Sequence, residues 1–133
     1  MNFVIHGTPL PLKRARFSRN RVYNPSKKDQ TLWKQQIEHD APLLNEPLTV
    51  SFEFVFSRPK SHYRTGRFAT MIRETAPKHH TTKPDVDNLI KFCLDAMNNH
   101  VYEDDKLVVS VSGVKRYAKE EEQPHTQVIL GVC

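Results

Sequence analysis

From Leu48 to Phe56, LTVSFEFVF, hydrophobic residues fall at alternate positions. Leu48, Val50, Phe52, Phe54 and Phe56 share one face, with polar Thr49, Ser51 and Glu53 between them. A period of two is that of a half-buried β-strand. Residues 107–117, LVVSVSGVKRY, and 126–132, TQVILGV, predict two further strands, and 2–6, NFVIH, predicts a short one ended by Gly7, Pro9 and Pro11. In two places the period becomes helical. Over 26–40, Trp33 and Ile37 form an i, i+4 apolar pair behind Ser26, a candidate N-cap, with Asp29 placed as in a capping box and Pro42 as the stop. Over 86–98, Leu89, Ile90, Phe92, Cys93, Leu94, Ala96 and Met97 cover most of a helix circumference and predict a largely buried helix. Residues 58–83 show neither period and read as a long basic loop, and loops of that length in compact domains tend to be functional or mobile. Residues 119–124 read as a solvated turn. The predicted class is α+β (mixed α/β): a small mixed sheet with two main helices packed on it, in a single domain over residues 1–133.

Charge adds a partner to this outline. The chain has 20 Lys and Arg against 15 Asp and Glu, a formal net charge of +5. That balance favours nucleic acid over a membrane surface. No apolar run approaches the length of a membrane span. The opening MNFVIHGTPLPLKR places its charges after a short apolar piece, the wrong order for a secretory signal, so a cytoplasmic location is expected. Cys93 and Cys133 lack metal-ligand spacing and read as two reduced thiols. Residues 12–28 carry seven Lys and Arg and no acid, and 58–83 carry seven more against Glu74 alone. Protein surfaces normally mix signs, so both segments predict contact with a phosphate backbone. Lys13, Arg14, Arg16, Arg19, Arg64, Arg67 and Lys83 are the candidate contacts. Phe17, Tyr23, Tyr63 and Phe68 are candidates either to stack on bases or to anchor these loops to the core. The pair His79-His80 reads as a loop position near phosphate rather than as two ligands of one metal.

The acids are gathered elsewhere. Six of the 15 lie in residues 83–105, KPDVDNLIKFCLDAMNNHVYEDD: Asp85, Asp87, Asp95, Glu103, Asp104 and Asp105. Asp87, Lys91 and Asp95, at i, i+4 and i+8, form the only strongly polar line on the predicted helix. Asp85, just before it, is placed to cap it, and both Asp85 and Asp87 lie by the positive end of the helix dipole. A strand returning beside the helix would bring Asp105 next to Asp85 and Asp87. Clustered carboxylates repel one another, and a hard divalent cation removes the repulsion. Mg²⁺ takes a few carboxylates and completes its shell with water and phosphate. A basic surface around an acidic pit suits metal-assisted phosphodiester hydrolysis, with Lys91 placed to offset charge on the phosphate or to position water.

The run KPDVDNLIKFCLDAMN, followed by EDD at 103–105 and LVVSVSGVKRY, resembles the RusA family of Holliday junction resolvases. The opening GTPLPLKRARFSRNRVYNPSKK is similar to the family's Gly-x-Pro and basic start. The resemblance implies a homodimeric endonuclease that uses Mg²⁺, with Mn²⁺ as a substitute, and needs no nucleotide cofactor. It would make paired symmetric nicks in four-way DNA junctions during recombination and repair. By position, Asp85, Asp87 and Asp105 match the family's catalytic carboxylates, Lys91 its essential lysine and Asp95 a further supporting metal ligand. The chain departs from the pattern at Met97-Asn98-Asn99-His100 and at Lys106-Leu107. Two alternatives stand beside this one: a related nuclease acting on flaps or forks, and a non-catalytic, structure-selective DNA-binding module.

Overall fold

A computed structural model describes residues 1–133. The strands are β1 (Asn2–His6), β2 (Arg16–Ser18), β3 (Arg21–Tyr23), β4 (Leu48–Phe56), β5 (Val108–Tyr117) and β6 (His125–Val132). The helices are α1 (Lys27–Lys34) and α2 (Val86–Met97). Four strands form one mixed sheet in the order β1-β6-β4-β5, and β2 with β3 forms a separate hairpin. β4 pairs antiparallel with β6 and parallel with β5. A parallel pair needs a crossover, and α2 lies within it. The α+β class with two helices on a mixed sheet is as the patterns predict.

The alternation along β4 sets the core. Leu48, Val50, Phe52, Phe54 and Phe56 are all buried under the helices, with Ile5 of β1 and Val128 and Leu130 of β6 beside them. Val55, on the opposite face, is buried as well. It is flanked in register by Arg116 and His125, and Arg116 is bonded to Glu53 and Glu122 on that side. The two helices meet through Trp33 and Phe92, edge to face with centroids 6.2 Å apart. Burying each such ring stabilises the fold by roughly 1.5–3 kcal/mol. β5 approaches α2 at Gly113, where an added Cβ would lie 2.9 Å from Ile90 Cδ1 and 3.3 Å from Phe54 Cε2. The glycine lets the helix sit against the edge strand.

Several local expectations change. The first helix ends at Lys34, not at residue 40: Gln36 and Ile37 donate to Trp33 and Lys34, three residues back, so the last turn tightens. Ile37 is buried from that turn, and the Trp33–Ile37 pair belongs to the core. Ser26 occupies the N-cap position without a side-chain capping bond; its Oγ accepts from Lys13 N at 2.9 Å instead. Residues 58–83 lack long elements but are ordered by two 3₁₀ turns and a Tyr63–Ile72 bridge. Arg58 ties this loop down, donating from Nε to Ala118 O and from a guanidinium nitrogen to Pro77 O, each at 2.7 Å. The 119–124 turn is held too, since Glu122 pairs with Arg116 and Glu120 accepts from Ile72 N.

Candidate nuclease site on helix α2

The site is built on α2. Its inner face buries Leu89, Phe92, Cys93, Ala96 and Met97, with burial raising the Cys93 thiol well above its ordinary pKa. Asp87, Lys91 and Asp95 lie on the opposite line and are exposed to solvent, so the polar stripe is a surface feature rather than a buried one. Lys91 Nζ lies 3.9 Å from Asp87 Oδ2. At that exposure the pair contributes about 0–1 kcal/mol, so fold stability does not explain it. Asp85 stands at the N-cap in extended conformation, yet its side chain makes no capping bond. The expected cap is absent, and the carboxylate is left unused beside the helix amino terminus.

The segment entering Asp85 is anchored. Lys115, on β5, donates from Nζ to Thr82 O and Pro84 O, both at 2.7 Å, on either side of the cis Lys83–Pro84 bond. Beside it, His80 is 8 % exposed and stacks on Phe56 with centroids 3.9 Å apart. Burial, with the Lys115 charge adding to it, lowers the pKa of His80. His80 is therefore a packing residue of the loop base, not a group facing phosphate, while His79 remains exposed.

At the other end of α2, Tyr102 is fully buried and donates from its hydroxyl to Leu94 O at 2.5 Å. Burial raises the Tyr102 pKa well above its ordinary range. This anchor turns the chain so that Asp105 N donates to Asn98 Oδ1 at 2.8 Å. Asp104 Oδ1 accepts from Lys106 N at 2.9 Å, and that bond holds Asp104 below the usual carboxylate range. Asp105 is held above it by burial first, then by Asp104, with Asp95 adding to the effect. Asp105 therefore stands near Asp104 and Asp95 at the carboxyl end of α2. Asp85 and Asp87 stand at the amino end. The eight residues from Asp87 to Asp95 span about 12 Å of helix axis. The expected meeting of Asp105 with Asp85 and Asp87 does not occur within one chain, because β5 begins at the carboxyl end of α2. No three acids, histidines or cysteines of the chain converge at metal-binding distance.

Two clefts run along this stripe. One of about 460 Å³ is lined by Pro11, Leu12, Lys83, Pro84, Asp85 and Asn88. The other, about 290 Å³, includes Leu12, Lys13, Asn24, Lys91, Asp95 and Asp105 in its walls. Leu12 is common to both, and Leu12 N donates to Asn88 O at 3.0 Å. That bond lays the basic amino-terminal arm along the acidic helix face.

The arm leads into the hairpin of β2 and β3, which the sequence patterns did not predict. Arg19 and Asn20 turn it with φ of 51° and 63°, the two left-handed residues of a tight hairpin. Asn20 between two short runs holding Phe17 and Val22 is the signal for it. The hairpin leaves Lys13, Arg14, Arg16 and Arg19 exposed, with Phe17 70 % and Val22 72 % exposed. Phe17, Tyr23 and Phe68 are thus not anchors in the core, whereas Tyr63 is half-buried. In the long loop, Arg64 and Arg67 are exposed, the latter over the Phe68 ring at 4.9 Å, as is Lys83. Asn24 and Gln30 also belong to the site and were missed: Gln30 Nε2 donates to Asp95 Oδ2 at 2.9 Å. A polar residue in a polar stretch gives no sequence signal of burial.

No helix is long and apolar enough to cross a membrane. A relative from Bacillus subtilis (strain 168), the uncharacterized protein YqaN, is 28 % identical over 141 aligned positions, which cover 98 % of this chain and 94 % of its own. The family model for endodeoxyribonuclease RusA matches residues 6–130, from the last residue of β1 to Leu130 near the end of β6 and across every acid of the site. The chain belongs to the RusA endodeoxyribonuclease family.

Proposed function

We propose that this protein is a divalent-metal-dependent endonuclease that nicks four-way DNA junctions in paired, symmetric fashion, serving recombination and repair. The observation that carries the reading is the unused Asp85 carboxylate at the head of α2, two residues before Asp87, which itself stands about one helical turn from Lys91 on a solvent-facing line. Asp85 and Asp87 supply hard oxygen donors of the kind Mg²⁺ takes, one or two carboxylates with phosphate and water completing the shell. The ion supplies Lewis-acid polarisation of the phosphate and an activated water. Lys91 neutralises charge on the scissile phosphate or positions that water. The exposed basic hairpin, with Arg64, Arg67 and Lys83, binds the phosphate backbone, and Phe17 meets bases near the open centre of the junction.

A second copy of the chain belongs to this reading. Asp105 stands by the carboxyl end of α2, away from Asp85 and Asp87, and shares its cleft with Asp95 and Lys91. In a homodimer, Asp105 of one protomer completes the site begun by Asp85 and Asp87 of the other, with Asp95 in support. The edge of β5 carries exposed Val109, Val111 and Val114 and no charge before Lys115, which suits a second copy better than DNA.

A non-catalytic DNA-binding module is the competing reading, favoured by the lack of three converging ligands in one chain. The deciding experiment uses a four-way junction, a flap and a plain duplex of shared sequence, labelled on each strand in turn, with Mg²⁺ or with EDTA. Symmetric nicks in the junction alone, and only with Mg²⁺, are expected. Flap cleavage above junction cleavage would reassign the substrate, and binding without cleavage under Mg²⁺ or Mn²⁺ would favour the module.

A further inference from the structure

The face that α1 presents to α2 is apolar at Trp33 and polar at Gln30, which is 6 % exposed. The amide of Gln30 is fully bonded. Its Nε2 donates to Phe92 O at 3.2 Å and to Asp95 Oδ2 at 2.9 Å, and its Oε1 accepts from Asn24 Nδ2 at 2.9 Å. A carbonyl and a carboxylate only accept, so these partners fix which way the amide faces. The line continues outward. Asn24 Oδ1 accepts from Ser26 N at 2.9 Å, and Ser26 Oγ accepts from Lys13 N at 2.9 Å. A continuous hydrogen-bonded path therefore joins the backbone of the basic arm to one oxygen of Asp95. The other Asp95 oxygen takes no hydrogen bond or ion pair within the chain.

Packing alone does not call for this arrangement. Burying an amide costs about what its hydrogen bonds return, and an apolar side chain of equal length would fill the same space. Gln30 is too buried to touch DNA and makes no bond to a metal ligand set other than through Asp95. What the amide does is fix the rotation of a carboxylate in the cleft that also holds Lys91 and Asp105. Hydrogen bonds of this kind to a metal-ligating side chain orient it, and their loss typically lowers metal affinity or activity by about tenfold to a hundredfold.

We propose that Gln30 is a positioning residue for the acidic cleft: it orients Asp95 and is itself held in place by Asn24. The inference rests on the proposed function, in which Asp95 supports a divalent-cation site acting on DNA. Two variants test it. Gln30→Met keeps the length and loses all three hydrogen bonds. Asn24→Ser, on an exposed residue, keeps an acceptor for Ser26 N but withdraws the donor from Gln30. Three quantities are read: junction affinity in Ca²⁺, the single-turnover cleavage rate over a Mg²⁺ series, and the rise in melting temperature that Mn²⁺ gives the DNA-free protein.

Gln30→Met is expected to bind junctions as the wild type does and to cleave about tenfold to a hundredfold more slowly, with half-maximal rate at higher Mg²⁺ and a smaller Mn²⁺ effect on melting. Asn24→Ser moves rate, Mg²⁺ dependence and Mn²⁺ response in the same direction by less. Wild-type values of all three in folded Gln30→Met overturn the proposal; if that variant does not fold, wild-type values in Asn24→Ser overturn it. Wild-type cleavage with unchanged variants removes only the role of Gln30. A wild type that neither cleaves nor is stabilised by Mn²⁺ removes the metal reading, and the proposal with it.

Discussion

Lys115 of β5 holds Pro84 across the top of the sheet: its ammonium donates to Pro84 O at 2.7 Å, and Thr82 O takes a second bond of the same length. Pro84 O belongs to the peptide that leads into Asp85, so a side chain on the edge strand fixes the backbone from which the first acid of the site projects. Lys115→Met removes both bonds. It is expected to lower stability by about 2 kcal/mol, as for hydrogen bonds to a charged group. Its junction cleavage should fall further than this loss of folded protein explains. Chemical denaturation beside cleavage rates, at a temperature where the variant is folded, separates the two effects.

The close approach of α2 to β5 at Gly113 gives a packing prediction. A side chain there would meet Ile90 and Phe54. Gly113→Val should destabilise the fold by about 1–3 kcal/mol, because the added methyl groups push the helix from the strand. Urea denaturation checks this, and an unchanged midpoint would mean that α2 lies farther from the sheet.

Acid sensitivity follows from Glu122. Arg116 beside it holds its pKa at about 2, down from an ordinary 4.5. A depressed folded pKa gives stability that is complete above the unfolded value and lost as pH falls through the folded one. The contribution of Glu122 should therefore be whole above about pH 4.5 and disappear toward about pH 2. Glu122→Gln is expected to cost about 2 kcal/mol at neutral pH and nothing at the acid limit. Melting curves across that range should converge for variant and wild type at low pH.

The separation of Asp105 from Asp87 predicts complementation between protomers. Asp87→Asn and Asp105→Asn homodimers should each be inactive. Mixed and allowed to exchange subunits, they should recover nicking, because a heterodimer holds one site with both carboxylates intact. Recovery measured on a labelled junction supports a site shared between protomers. No recovery despite demonstrated subunit exchange would put both carboxylates of each site in one chain.

The fold was legible where one periodicity dominates. β4 and the inner face of α2 read directly, since Leu48 to Phe56 and Leu89 to Met97 each bury a face of uniform character. The end of α1 was not legible, because Trp33 and Ile37 keep helical spacing while the backbone tightens at Gln35. The hairpin at Arg16–Tyr23 escaped because it buries nothing, and its turn uses Arg19 and Asn20 without glycine. Of the site, the acids and Lys91 were legible as a charge pattern. Their division between the two ends of α2 was not, because it depends on where the 98–105 turn, held by Tyr102, delivers Asp105. Ser26 and Asp85 look like caps by residue type. Only the structure shows the Ser26 hydroxyl bonding Lys13 N and the Asp85 side chain making no capping bond.

The metal-dependent nuclease assignment is tested most directly by Asp87→Asn on a labelled four-way junction with Mg²⁺, scored for binding and for nicking in the same samples. Asp87 is exposed and its only partner is Lys91, so the fold should be unaffected. Junction-selective binding equal to that of the wild type is expected, with no nicks on any strand. Wild-type nicking by the variant would contradict the assignment of the ion to the head of α2. Lost binding, with normal cleavage of whatever junction is still bound, would make Asp87 a DNA contact rather than part of the catalytic centre.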